Sequence, residues 1–197
     1  MSNCFFEIKN STFLASKQNK VINFNLKIDK PGEIVCLLGP SGVGKTTILR
    51  SIAGLQKLAE GEIFLNGKLI SSQSVHIEPE KRNVALSFQD NSLFPHYNVI
   101  DNINFGSKRK SQSQYELAAD ELIDILHLNN LQNKFPHQIS AGEAQRVSLA
   151  RSLISKPDLL LVDEPFSNID FSLKGELQSN IKKLLKKFEI TTIMVTH

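Results

Sequence analysis

Cysteine is scarce in this chain: two residues, Cys4 and Cys36, among 197. Two thiols do not make a disulfide framework, and nothing around them suggests a zinc site, so a reducing compartment fits. Cys36 lies inside the apolar run IVCLLG and reads as a buried core thiol. Long hydrophobic runs are also missing. No stretch approaches the roughly 18 apolar residues that cross a bilayer as a helix, so any membrane role reads as that of a peripheral partner. The opening MSNCFFEIKNS lacks a basic start followed by a long apolar core and does not read as a signal peptide. A strong excess of one charge is absent too: 23 Lys and Arg face 20 Asp and Glu, for a net charge of +3. That is not the concentrated basic surface of a nucleic-acid binder, and no nucleic-acid partner is expected. The densest basic run, KKLLKK at 182–187, carries leucines at helical spacing and reads as a solvated helix face. There is no internal repeat, and no low-complexity segment beyond the short SKRKSQSQ. Hydrophobic residues make up 41% of the chain, enough for one sizeable core.

The pattern of those residues predicts an α/β fold. CFFEIKN and VINFNLKID read as strands, and EIVCLLG as a buried strand that runs straight into a glycine-rich turn. KTTILRSIAGL reads as the helix that follows, with Gly54 as its stop. GEIFLNGKLI reads as a hairpin turning at Asn66-Gly67, and residues 84–88 as another strand. After Gln89 the texture becomes helical, in VIDNINFG, QYELAADELIDILHL and ISAGEAQRVSLARSLI. Strand character returns in DLLLVDEP and TTIMVT, on either side of the helix FSLKGELQSNIKKLLKKF. The expectation is one domain over residues 1–197. Residues 1–89 and 158–197 would form an α/β core with an N-terminal antiparallel β region. Residues 90–157 would form an inserted α-helical subdomain.

Two stretches point to phosphate. GPSGVGKTT, residues 39–47, matches G-x-x-x-x-G-K-[ST] through Gly39, Gly44, Lys45 and Thr46. With Pro40, Ser41, Gly42, Val43 and Thr47 it forms a loop whose N–H groups can face phosphates. Lys45 would reach the β- and γ-phosphates, and the Thr46 hydroxyl would ligate Mg²⁺. A strand before and a helix after supply the required context. Such a loop also needs a metal carboxylate and a group that activates water. LLLVDEP offers Asp163 for the metal and Glu164 for the water. The second stretch is ISAGEAQRVSLARSL, a polar turn that opens a helix. Helix N-termini hold anions because free N–H groups and the helix dipole point outward there. Ser140 and Glu143 also form a capping-box pattern, which is compatible with that role.

In its order of motifs the chain resembles the ATP-binding subunits of ABC transporters, a P-loop NTPase (RecA-like) fold. The matching residues are the Walker A loop 39–47, the Q-loop glutamine Gln89 in LSFQD, the signature ISAGEAQR, the Walker B strand LLLVDEP, the D-loop SNID and the switch histidine His197 in MVTH. The resemblance implies that two such domains sandwich two ATP molecules head to tail. Ser140, Ala141, Gly142 and Glu143 of one domain would then cap the γ-phosphate held by the Walker A loop of the other. This accounts for two phosphate-facing helix starts on one chain. It further implies that Gln89 contacts Mg²⁺ or the attacking water and links the site to the insert, that His197 hydrogen-bonds the γ-phosphate, and that Asp170 braces the dimer, a role compatible with a helix N-cap. Catalysis would fall to Glu164, Lys45, Gln89 and His197. Implied partners are a second nucleotide-binding domain and integral-membrane permease subunits, at the cytoplasmic face of the cell membrane.

The chain departs from the family pattern in three places. The usual L-S-G-G-Q appears as Ile139-Ser140-Ala141-Gly142-Glu143. The aromatic expected to stack on adenine has Phe13 as its candidate, with a core position as the alternative. Family members normally continue beyond the switch histidine, which suggests a fragment or a shortened product. FQDNSLFPHYNVIDNINFG and KFPHQIS resemble importer subunits of the ferric-iron, anion, sugar and polyamine group, with an apolar tract at Leu93, Phe94, Pro95 and Tyr97 as a docking surface or subdomain core. The alternatives are a DNA-repair or chromosome-organising head, whose long coiled coil is not seen here, and a truncated copy that binds ATP without hydrolysing it. A GTPase switch would need N-K-x-D, which NKFP at 133–136 does not complete.

Overall fold

A computed structural model describes residues 4–14, 20–88, 92–106 and 119–196. Two four-stranded sheets carry the fold. The first is antiparallel, with order β2-β1-β4-β5: β1 is Phe6–Leu14, β2 Lys20–Ile28, β4 Glu60–Leu65 and β5 Lys68–Ser71. The second is parallel, with order β3-β8-β7-β6: β3 is Ile34–Leu38, β6 Val84–Ser87, β7 Leu159–Asp163 and β8 Thr191–Thr196. The β4–β5 hairpin turns at Asn66 and Gly67, whose φ values of 52° and 72° are those of a tight hairpin turn.

All five residues of β7 are buried, and this explains its unbroken apolar run. Leu159 and Leu161 face one core, made with the antiparallel sheet and helix α1, Lys45–Ala53. Leu160 and Val162 face the other, built from helices α2 (Val99–Phe105), α3 (Ala119–Ile125), α4 (Ala141–Ile154) and α5 (Phe171–Lys187). A parallel strand covered on both faces cannot alternate apolar and polar residues. The lysines of KKLLKK are exposed and its two leucines are buried on α5, as expected.

Arg82 pins the end of α1 to the antiparallel region. Its guanidinium donates to the carbonyls of Ile77, Ser51, Ile52 and Ile70 and to Ser71 Oγ. Gly54 ends α1 in a left-handed turn beneath it, and a Cβ there would lie 2.7 Å from Arg82 Nε. The expectation for Cys36 is corrected. It is exposed, as is Leu38 at 72%, because the two share one face of β3 while Val35 and Leu37 pack against the core on the other.

Candidate active site

In parallel α/β sheets, ligands bind at the carboxyl ends of the strands. Leu38 pairs with Thr196, and Asp163 with Val195, so β3, β7 and β8 end side by side. The glycine-rich loop leaves β3 at that edge, and Glu164 follows β7 there. Gly42 and Gly44 take φ of 80° and 103°. At Gly42 a Cβ would meet nothing within 4 Å, so glycine is needed for conformation and not for space. Gly44 caps the start of α1.

Lys45 is the first residue of α1 and is 8% exposed. Its ammonium donates to the carbonyls of Gly39 and Pro40, which folds it back over the loop it follows. Thr46 Oγ1 donates to Asp163 Oδ2 at 2.7 Å. Asp163 is 6% exposed. A buried carboxylate needs polar partners, and the hydroxyl supplies one. The contact joins residues 117 positions apart and brings the loop and the acidic strand end into one site.

Glu164 adopts φ of 50°, the left-handed region, which costs about 1–2 kcal/mol for a residue with a Cβ. Its N–H donates to the Val195 carbonyl at 3.0 Å, and its carbonyl accepts from Ser167 N–H and from Gln145 Nε2. The strained residue is thus held from both neighbouring elements.

The signature stretch opens α4 as expected. Ser140 Oγ accepts from Glu143 N–H, and Glu143 Oε2 accepts from Ser140 N–H at 2.7 Å, a complete capping box. The Ser140 N–H bond holds the Glu143 carboxyl below its ordinary range. The N–H groups of Ala141 and Gly142 point out of the helix start, where the ladder offers them no partner. Ala141 is exposed and helical, so its methyl does not crowd the cap. Gly142 is the tight position: a Cβ there would lie 2.4 Å from the Asn168 carbonyl oxygen.

Phe13 is corrected. It is fully buried and packs edge-on against Phe24 at 6.0 Å, so neither face is open to a base. Gln89 and His197 lie outside the described residues. Asp170 is the N-cap position of α5 and is exposed. Of the tract at 93–97, Leu93 packs on the helical core, while Phe94 and Tyr97 form an aromatic cluster with Phe105. The buried Asn102 side chain bonds the backbone of Phe94, Tyr97 and Asn98 and fixes that loop. Gln145 and Arg82 escaped sequence reasoning. The available signal for Gln145 was a polar residue in a helix that is buried nearly all round.

The family model for the ABC transporter matches residues 21–167, which spans the phosphate loop, the signature helix and the acidic strand end. The chain belongs to the ABC transporter family. It is 42% identical over 195 residues to the Fe(3+) ions import ATP-binding protein FbpC of Escherichia coli (strain K12), a match covering 98% of this chain and 55% of that protein. The protein of that name in Fusobacterium nucleatum is 40% identical over 182 residues, covering 91% and 48%. The chain therefore spans about half the length of these relatives. Among solved structures, the dimeric structure of MJ0796, a bacterial ABC transporter cassette, superposes with a TM-score of 0.82 at 27% identity, covering 98% of this chain and 88% of that one. Its post-hydrolysis state bound to ADP and Pi gives 0.81 at 26% identity, with the same coverage. CbiO1 from Clostridium perfringens, part of the ABC transporter complex cbiONQ, gives 0.79 at 26% identity, covering 98% and 78%. The α/β P-loop fold expected from the sequence is the fold of these cassettes.

No described helix is long and apolar enough to cross a membrane. Among the described residues there is no cluster of three or more His, Cys, Asp or Glu side chains arranged to hold a metal.

Proposed function

We propose that this chain is the ATP-binding and hydrolysing unit of a solute importer. It works as a head-to-tail pair of copies on the cytoplasmic face of the cell membrane and drives separate integral-membrane permease subunits. The observation that carries the reading is the Thr46–Asp163 contact, which joins the phosphate loop to the acidic strand end. The names of the relatives support import, and ferric iron is the first cargo to assay. They favour transport over a DNA-repair or chromosome-organising head.

Residues 39–47 bind the phosphates through backbone N–H groups, and Lys45 turns its ammonium from the Gly39 and Pro40 carbonyls to the phosphate oxygens. Thr46 and Asp163 would hold Mg²⁺, which would supply neutralisation of phosphate charge there. Glu164 accepts a proton from the attacking water, its main chain held by Val195 and Gln145. The start of α4 presents the Ala141 and Gly142 N–H groups and the Ser140 hydroxyl to the γ-phosphate held by the other copy. Gln89 and His197 complete the site by resemblance. The aromatic loop at Phe94 and Tyr97, braced by Asn102, offers the permease a preformed surface.

The test is Mg²⁺-dependent ATP hydrolysis by the wild type and by Glu164→Gln, with ATP binding measured separately. The variant should bind ATP and lose at least about a hundredfold in turnover. Near-normal turnover would remove Glu164 from the role.

A further inference from the structure

One side chain ties the signature helix to the backbone that carries Glu164. Gln145, in the second turn of α4, is 2% exposed. Its Nε2 donates to the Glu164 carbonyl at 2.7 Å and to Ser167 Oγ at 3.3 Å, and its Oε1 accepts from Asn168 N–H at 3.2 Å. The amide has one sensible orientation, because a carbonyl oxygen must meet the NH₂ end and an N–H must meet the oxygen. A second grip lies one turn earlier, where Gly142 sits so close to Asn168 that a Cβ would be 2.4 Å from its carbonyl oxygen. Helix α4 therefore holds residues 164–168 at two points. The residue it holds most directly is Glu164, which occupies a conformation that persists only when its surroundings over-determine it.

These contacts have a direction. In the paired-domain reading, the start of α4 faces the phosphate held by the other copy, and Glu164 faces the phosphate held by its own chain. A buried, well-packed helix moves as a rigid unit, and a short buried hydrogen bond leaves little slack between it and the loop. We propose that Gln145 is a positioning residue for ATP hydrolysis. It fixes the Glu164 main chain to α4, so that phosphate bound at the start of α4 sets the posture of Glu164 toward the ATP on its own chain. The two ATP molecules of the pair are then coupled through each polypeptide. This rests on the paired-domain reading above.

The test uses Gln145→Met, which keeps the length and apolar bulk of the side chain and removes every hydrogen bond. Gln145→Glu is added because it keeps the acceptor for Asn168 and turns the Glu164 contact repulsive. ATP affinity of the separate chain, steady-state turnover, the Hill coefficient for ATP and the melting temperature are measured together. Both variants should bind ATP within about twofold of the wild type and lose about tenfold or more in kcat, since small misplacements of a catalytic group carry large rate losses. Their Hill coefficients should drop from near 2, the number of sites, toward about 1. A lower melting temperature with unchanged kcat and Hill coefficient would mean that Gln145 only packs, and would overturn the proposal. If Gln145→Met does not fold, the same readouts on Gln145→Asn, whose amide is one methylene short of Glu164, decide. A wild type that hydrolyses ATP with a Hill coefficient of 1 and never pairs would overturn the paired-domain reading, and the coupling with it. That pattern is distinct from cooperativity kept in both proteins, which would sink the coupling alone.

Discussion

Replacing Gly142 with alanine sets two effects of opposite sign against each other. Alanine at a helical position is favoured over glycine by up to about 1 kcal/mol, so in open space the substitution would stabilise the protein. The space is not open: the new carbon would lie 2.4 Å from the Asn168 carbonyl oxygen and 3.3 Å from its carbonyl carbon. Ordinary contact begins near 3.4 Å, so α4 or residues 167–169 must move by about 1 Å. Overpacking of this kind costs about 1–3 kcal/mol, which outweighs the propensity gain. The net effect is a loss of up to about 2 kcal/mol, or a melting temperature lower by up to about 8 °C in a chain of this size. The larger effect falls on turnover. The segment that must yield follows Glu164, and a 1 Å displacement of a catalytic group costs on the order of a hundredfold. Ala141→Gly is the control. Ala141 is exposed, so the reverse change should leave turnover within about twofold and lower stability by no more than about 1 kcal/mol. Thermal unfolding and ATP turnover of the two variants decide. A Gly142→Ala protein that melts higher than wild type with full turnover would refute the close contact between the signature helix and the loop behind Glu164.

Other outcomes follow from single contacts. Glu143→Gln keeps the capping box and removes an anion from the phosphate-facing helix start, so ATP-driven pairing should tighten by about threefold, as seen in titrations followed by light scattering. The Glu143 carboxyl is held below its ordinary range, so the stability it contributes is present above the unfolded value near 4.3 and is lost as pH falls through the folded value. The stability gap between wild type and Glu143→Gln, from denaturant titrations, should therefore be constant above about pH 5 and close below about pH 4. Arg82→Met strands the carbonyls of Ile77 and Ile52 and removes a second donor from those of Ser51 and Ile70, which keep the N–H groups of Gly54 and Ile77. Burial pushes the Arg82 guanidinium down to about 10, so it remains charged at neutral pH. Its loss should cost about 3 kcal/mol or more and lower the melting temperature by about 10 °C, read by calorimetry. Cys36 is exposed, whereas Cys4 is buried with its thiol donating to the Phe6 and Ile28 carbonyls. One thiol should therefore label quickly and the other only on unfolding.

Local chemistry was legible in the sequence wherever it was dense. The strand–turn–helix at Lys45, the Asn66-Gly67 hairpin and the Gly54 stop each depend on residues a few positions apart, and all three stand as expected. Asp163 was legible because four apolar residues before it require a buried strand, and the strand's end is where a carboxylate meets the phosphate loop. Long-range facts were not legible. The apolar run around Cys36 is the same whether one face of its strand is covered or both, and only the packing shows which. Phe13 is an aromatic of the kind that stacks on a base, and only its place in the core shared by the antiparallel sheet and α1 shows that it is buried. Gln145 acts through partners 19 to 23 positions away, and Arg82 reaches Ser51 and Ile52 at 31 and 30, and nothing next to them in the chain reveals this.

The central claim is that the two phosphate-facing helix starts serve two different ATP molecules, held between two copies of the chain. The direct measurement is the solution mass of the Glu164→Gln protein by light scattering, with and without ATP and Mg²⁺. The account predicts one 22.0 kDa chain without nucleotide and twice that mass with ATP. A single-chain mass in both conditions, with ATP binding confirmed separately, would contradict it.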